Sequence, residues 1–384
     1  MIYYGHQNIN NDDIRAVENV LKSPFLTQGP IVEKFEQCVA NYCGAKYAVA
    51  VTNATSALHI ACLAAGLGSG DALWTSPITF VASANCARYC GADVDFVDID
   101  PRTYNMSVTA LEEKLRQAKR KGKLPKIVVP VHFAGQPCDM QRIQELSEMY
   151  GFRILEDASH AVGAEYLGGK VGSCNFSDMA VFSFHPVKII TTGEGGMILT
   201  NRKDIYDKLR MYRSHGIVRD STLMSQDNGA WYYEQIELGY NYRMTDIQAA
   251  LGCSQMQRID QFVKKRNNLS SRYQKLLADL PLDVPYVEDN IKSSWHIYVV
   301  RIHFEKAGKN KVHFFNEMKS RGICLNVHYI PVHLQPYYQT LGFRKGDFPL
   351  SEQYYQEAVT LPLYYDLQES DQDEIVRCLK ECLV

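Results

Sequence analysis

A chain of 384 residues, 46% hydrophobic and 22% charged, holds enough apolar material for a large core and a smaller second unit. Its net charge of −2 argues against a nucleic-acid-binding or membrane-surface protein. No apolar run is long enough to span a bilayer, and Met1–His6 lacks the basic and apolar regions of a signal peptide. The 11 cysteines include no CxxC pair, so the expectation is reduced core thiols in a cytoplasmic protein, with no metal site.

Residues 12–22 repeat apolar side chains at helical spacing, with Asp12 and Asp13 in the first turn. The loop Pro24–Pro30 precedes a second helix near 31–42, and Tyr47–Val51 reads as a short buried strand. That strand runs into Asn53-Ala54-Thr55-Ser56, a helix start whose free N–H groups and hydroxyls suit an anion, although a plain N-cap explains any one of them. Strands are expected at 72–75, 94–97, 126–131, 152–157, 179–184 and 196–199, with helices near 80–90 and 140–150 and a tight hairpin at 166–171. Continuous apolar strands alternating with helices imply a mainly parallel sheet covered on both faces. From 245 to about 279 the pattern is helical, interrupted only by Gly252, and links a large domain (1–250) to a smaller one (251–384). The smaller one shows strands at 297–302 and 324–327 and helices at 311–321 and 370–383.

In such sheets ligands sit beyond the carboxyl ends of the strands. Asn53–Ser56, Phe80, His132, Asp157 with His160, Ser183 and Lys188 all fall at such ends. Lys188 has Val187, Ile189 and Ile190 as neighbours, and an apolar setting favours its free amine, which attacks carbonyls to form a Schiff base. A strand-end aspartate, a Schiff-base lysine and an anion cup meet the needs of pyridoxal 5′-phosphate. A nicotinamide site is the competitor, but no GxGxxG follows an early strand.

Glu156-Asp157-Ala158-Ser159-His160-Ala161, followed by Phe182-Ser183-Phe184-His185-Pro186-Val187-Lys188 and Gly193-Glu194-Gly195-Gly196, resembles the DegT/DnrJ/EryC1/StrS sugar-nucleotide aminotransferases nearly end to end. Within the family, Leu26–Pro30, Trp74–Phe80, His132–Met140, Trp231–Glu234 and Asn326–His333 are most similar to the transaminases of pseudaminic acid biosynthesis. The resemblance implies a fold type I PLP-dependent α/β transferase, with a seven-stranded, mainly parallel sheet between helices and a smaller α/β C-terminal domain. It implies transfer of the amino group of L-glutamate to C4 of a UDP-linked 4-keto-6-deoxy-N-acetylhexosamine, giving UDP-4-amino-4,6-dideoxy-N-acetyl-β-L-altrosamine and 2-oxoglutarate. The alternative is a C4 transaminase for a bacillosamine- or perosamine-type precursor.

By the same resemblance Lys188 would carry the cofactor and shuttle protons, and Asp157 would pair with its ring nitrogen. His160, a glutamine in many relatives, would contact the ring or its hydroxyl, and Phe80 would cover the other ring face. Ala54, Thr55 and Ser183 would hold the phosphate, joined by Asn241 from the neighbouring subunit of a homodimer with shared sites. Tyr4, Leu26, Thr27, His328 and Tyr329 would lie along the sugar nucleotide.

Overall fold

The computed structural model describes residues 1–226 and 228–383. The strands are β1 (Tyr47–Val51), β2 (Ala72–Thr75), β3 (Asp93–Phe96), β4 (Ile127–Val129), β5 (Arg153–Asp157), β6 (Glu165–Tyr166), β7 (Gly169–Lys170), β8 (Met179–Ser183) and β9 (Gly196–Thr200). All but β6 and β7 form one seven-stranded sheet in the order β1-β9-β8-β5-β4-β2-β3. The neighbours β8-β5-β4-β2-β3 are parallel, and β9 runs antiparallel to both β8 and β1. β6 and β7 make the expected hairpin beside the sheet. The ladder of β4 ends at Val129 because Pro130 has no N–H to give.

Alternation along each strand divides the core. Val49 and Val51 of β1, Val181 of β8 and Leu155 of β5 pack under α3 (Ala54–Ala64) and α4 (Ala82–Tyr89). Ala48, Ala50, Ala180 and Phe182 face the other way, with buried Phe35 and Val39, against helices at Pro30–Cys43 and Asp246–Met256. Val128 and Ile154 pack with Leu111, Leu115 and Ile143 of the helices at Val108–Lys121 and Met140–Tyr150. Both faces are therefore covered, as continuous apolar strands require.

Two expectations fail. The helical stretch is two helices, Asp246–Met256 and Ile259–Leu276, and the break is not at Gly252. Gly252 is inside the first helix, where an added Cβ would lie 2.6 Å from the Phe35 ring, so its smallness serves close packing. The chain breaks instead at Gln257–Arg258, where the Arg258 guanidinium reaches Asn8 and buried Asp13. Residues 324–327 form no strand: Asn326 makes a single bridge to Thr360, and Cys324 N–H donates to the Ile2 carbonyl. The extended chain is divided between two partners before it turns into the site at His328, so no ladder grows. The C-terminal sheet is built from residues 282–283, 298–302 and 358–361, all antiparallel. Among the described residues no helix is long and apolar enough to cross a membrane.

Candidate active site

Strand register creates the site. Gly196 opens β9 and pairs with Val51 on one side and Ser183 on the other, while Asp157 pairs with Val181. The carboxyl ends of β1, β5 and β8 therefore stand in one row. A Cβ on Gly196 would lie 2.5 Å from the Asn53 carbonyl group and 2.7 Å from the Ala54 nitrogen. Only glycine lets β9 approach the start of α3 this closely.

At that start Asn53 caps α3 by accepting from the Ser56 N–H, and the Ser56 hydroxyl also turns to Asn53. Ala54 and Thr55 remain part-exposed beside this cap. Ser183 is buried one row away at the end of β8. The Thr55 and Ser183 hydroxyls have no side-chain hydrogen bond among the described residues, which leaves the cup free for an anion.

Asp157 is buried at the end of β5. Its Oδ1 accepts from the Ser159 N–H at 3.1 Å and its Oδ2 from the Ser83 hydroxyl at 2.5 Å. Ser83 has one hydroxyl hydrogen, and a carboxylate is an acceptor only, so Thr79 donates to Ser83 across their 2.7 Å contact. Lys188 lies in the loop after β8, whose backbone folds on itself through Lys188 N–H to the His185 carbonyl and Thr191 Oγ1–H to the Phe184 carbonyl. Desolvation lowers its amine to about 8, against the pull of the Asp157 charge.

Three imidazoles surround this amine. His160 and His296 are held well below the ordinary histidine range, and His328 falls to about 3, each chiefly by burial and further by the Lys188 charge. All three are neutral near pH 7. His160 Nδ1 accepts from the Ala134 N–H at 3.3 Å, which places its proton on Nε2, 2.9 Å from the Tyr329 oxygen. His328 meets Thr360 through Nδ1 at 2.9 Å. Burial and the Asp157 charge push the Tyr329 hydroxyl up, so it keeps its proton. Phe80 is 59% exposed, with its ring 6.4 Å from that of Tyr329. An aromatic side chain this open at a strand end suits a flat ligand.

The N-terminal strap forms one wall. Ile2 bridges Ile323, the Tyr4 carbonyl accepts from the Leu363 N–H, and Asn8 donates to Asp366. The Tyr4 ring then lies 5.3 Å from that of His328. One chain thus brings together Tyr4, Phe80, Asp157, His160, Ser183, Lys188, His328 and Tyr329. It does not bring Leu26 and Thr27 into this cluster: they are exposed, and their backbones pair with Thr245 and Asp246. Asn241 is likewise exposed, bridged to Ser214. His132, also at a strand end, is wholly buried away from the cluster, between Glu156 at 2.7 Å and the Cys138 N–H. Thr79, Ser83 and His296 escaped the sequence reading. Ser83 is one turn past Phe80, a spacing that offered the only local signal.

The sequence profile of the DegT/DnrJ/EryC1/StrS aminotransferase family matches residues 7–380. The chain is 37% identical over 374 residues to the UDP-4-amino-4,6-dideoxy-N-acetyl-β-L-altrosamine transaminase of Campylobacter jejuni serotype O:23/36, covering 97% of this chain and 94% of that one. It is also 37% identical over 358 residues to the GDP-perosamine synthase of Caulobacter vibrioides, covering 93% and 91%. Among solved structures, the Helicobacter pylori aminotransferase PseC, described as involved in pseudoaminic acid biosynthesis, superimposes with a TM-score of 0.90 at 31% identity, covering 100% and 99%. With the match spanning nearly the whole chain, this protein belongs to the DegT/DnrJ/EryC1/StrS family of pyridoxal-phosphate-dependent sugar aminotransferases.

Proposed function

We propose that the protein transfers the amino group of L-glutamate to C4 of a UDP-linked 4-keto-6-deoxy-N-acetylhexosamine, giving the 4-amino-altrosamine product of pseudaminic acid biosynthesis. The observation that carries the reaction type is the Lys188 amine in the loop after β8, desolvated by burial and under the charge of Asp157 at the end of β5. The uncommitted hydroxyls of Thr55 and Ser183 and the open ring of Phe80 fit pyridoxal phosphate.

When bound, the cofactor supplies an aldehyde that condenses with amines and a ring that draws electrons from an adjoining carbon. Asp157, its oxygens held by Ser83 and Ser159, would keep the ring nitrogen protonated. Ala54, Thr55 and Ser183 would bind the phosphate, and Phe80 and His160 would cover the ring. The Lys188 amine, near neutrality in its pKa, accepts and returns a proton at Nζ, and the side from which it does so sets the product's C4 configuration. The neutral imidazoles do not compete for that proton. Tyr4, His328 and Tyr329 line the sugar nucleotide. Both substrates use one site, so ping-pong kinetics follow.

The exposed positions of Leu26, Thr27 and Asn241, outside their own chain's cluster, support a homodimer in which they serve the partner's site. A cavity of about 590 Å³ near Leu26, lined by Val20, Phe25, Ile31 and Ala250, supplies apolar surface for such an interface. A second reading, transfer to a perosamine-type precursor, is favoured by the equal identity to the perosamine synthase. Incubation with glutamate and either UDP- or GDP-linked 4-keto-6-deoxy sugars, followed by 2-oxoglutarate release and product NMR, separates the two. Release with neither substrate class sinks both.

A further inference from the structure

The segment Ser293–His296, entering the C-terminal sheet, is welded to the loop at Ala134–Gly135. Ser294 N–H donates to the Gly135 carbonyl, and His296 N–H donates to the Ala134 carbonyl. The Ser294 hydroxyl donates to the carbonyl of His160 at 2.9 Å. Gly135 has φ +99°, and a Cβ there would lie 2.5 Å from Ser294 Oγ and 3.0 Å from the His160 carbonyl oxygen. The junction admits no side chain.

The far side of the segment is held by Arg266, a fully buried guanidinium with no carboxylate partner among the described residues. The two hydrogens of its Nη1 are shared among three carbonyls: Trp295 at 3.1 Å, His296 at 3.0 Å and Leu363 at 2.8 Å. Leu363 in turn donates to the Tyr4 carbonyl, so one cation ties two walls of the site. A buried cation is costly, and a residue needed only for packing has cheaper substitutes.

The His296 ring is 3% exposed, with its Nδ1 unpartnered. Among the described residues no side-chain hydrogen bond accounts for a histidine here. What the ring does have is close contact with the His160 ring, with centroids 4.4 Å apart and planes tilted by 51°. His160 stands between that ring, the Ala134 N–H and Tyr329.

We propose that Arg266 and His296 are positioning residues for the transaminase reaction. Arg266 anchors the Trp295–His296 backbone, and the tilted ring of His296 packs against His160 and holds it with Nδ1 toward the Ala134 N–H and Nε2–H toward Tyr329. Because His160 donates, the Tyr329 hydroxyl hydrogen is left to point into the site, where it meets an acceptor oxygen of the sugar nucleotide. This inference rests on the aminotransferase reading of the site.

The test labels the histidines of the holoenzyme with ¹⁵N and reads the tautomer of His160 by long-range proton–nitrogen correlation. Wild type shows protonated Nε2 and bare Nδ1 at His160. His296→Ala loses that signature and lowers kcat about tenfold or more with KM little changed, as small misplacements of site groups do. His296→Phe, which keeps an aromatic ring in contact with His160 and no ring nitrogen, restores both. Should His296→Ala not accumulate, His296→Leu takes its place. Arg266→Met behaves as His296→Ala does, and Arg266→Lys recovers part of the loss. Tyr273→Phe, which removes a bond to the neighbouring Pro362 carbonyl, lowers Tm and leaves the signature intact. An unchanged His160 tautomer and wild-type kcat in His296→Ala and Arg266→Met overturn the proposal, as does a loss that follows Tm alone. The signature is read without turnover, so an error about the substrate silences activity in every variant, wild type included, and leaves the tautomer result standing.

Discussion

Lys188 is caught between two influences of opposite sign. Burial strips water from its amine, Asp157 draws a proton toward it, and burial wins, bringing it to about 8 from an ordinary value of about 10.4. A lowered lysine pKa means that the free amine appears as pH rises through about 8. In cofactor-free protein, brief reductive methylation mapped by mass spectrometry is therefore expected to reach Lys188 with a midpoint near 8, below the ordinary lysine value of about 10.4. A midpoint at the ordinary lysine value contradicts the desolvated site. Asp157 depends on Ser83 in the same local sense. Ser83→Ala removes the hydroxyl donor to Oδ2 and is expected to lower kcat several-fold while costing about 1 kcal/mol of stability, read from steady-state rates and urea unfolding.

At the scale of elements, two glycines show how tightly helices and strands were brought together. Replacing a mid-helix glycine by alanine ordinarily gains about 1 kcal/mol. At Gly252 the new Cβ would lie 2.6 Å from Phe35, and overpacking costs about 1–3 kcal/mol, so Gly252→Ala is expected to lower Tm. Gly196→Ala pushes β9 away from the start of α3 and is expected to weaken pyridoxal phosphate binding as well as Tm, measured by fluorescence titration and calorimetry. Most of the large sheet's strands were legible because their apolar runs are local signals, as in β1, β4 and β8, whereas β3 (Asp93–Phe96) alternates charged and apolar residues. The helix break was not, because Arg258 leaves the helical path for Asn8 and Asp13 at the other end of the chain. Lys188, Asp157 and His160 stood in recognisable surroundings. His296 did not, since its relation to His160 exists only once Ser294 docks on Gly135.

At the scale of the whole molecule, Leu26, Thr27 and Asn241 are exposed outside their own chain's cluster, and the proposed homodimer rests on them. If Asn241 serves the partner's site, Lys188→Ala and Asn241→Asp are each inactive alone. Random reassociation then makes hybrids with one intact site, and about a quarter of wild-type activity returns on mixing. No recovery, with hybrids present by native mass spectrometry, rules out sharing. The strap through Tyr4 carries a different consequence, one of timing. Its residues are synthesised more than 300 positions before Ile323, Leu363 and Asp366, which hold it down. The large sheet, built from residues 47–200, can assemble before then, so the wall bearing Tyr4 is the part of the site that closes late.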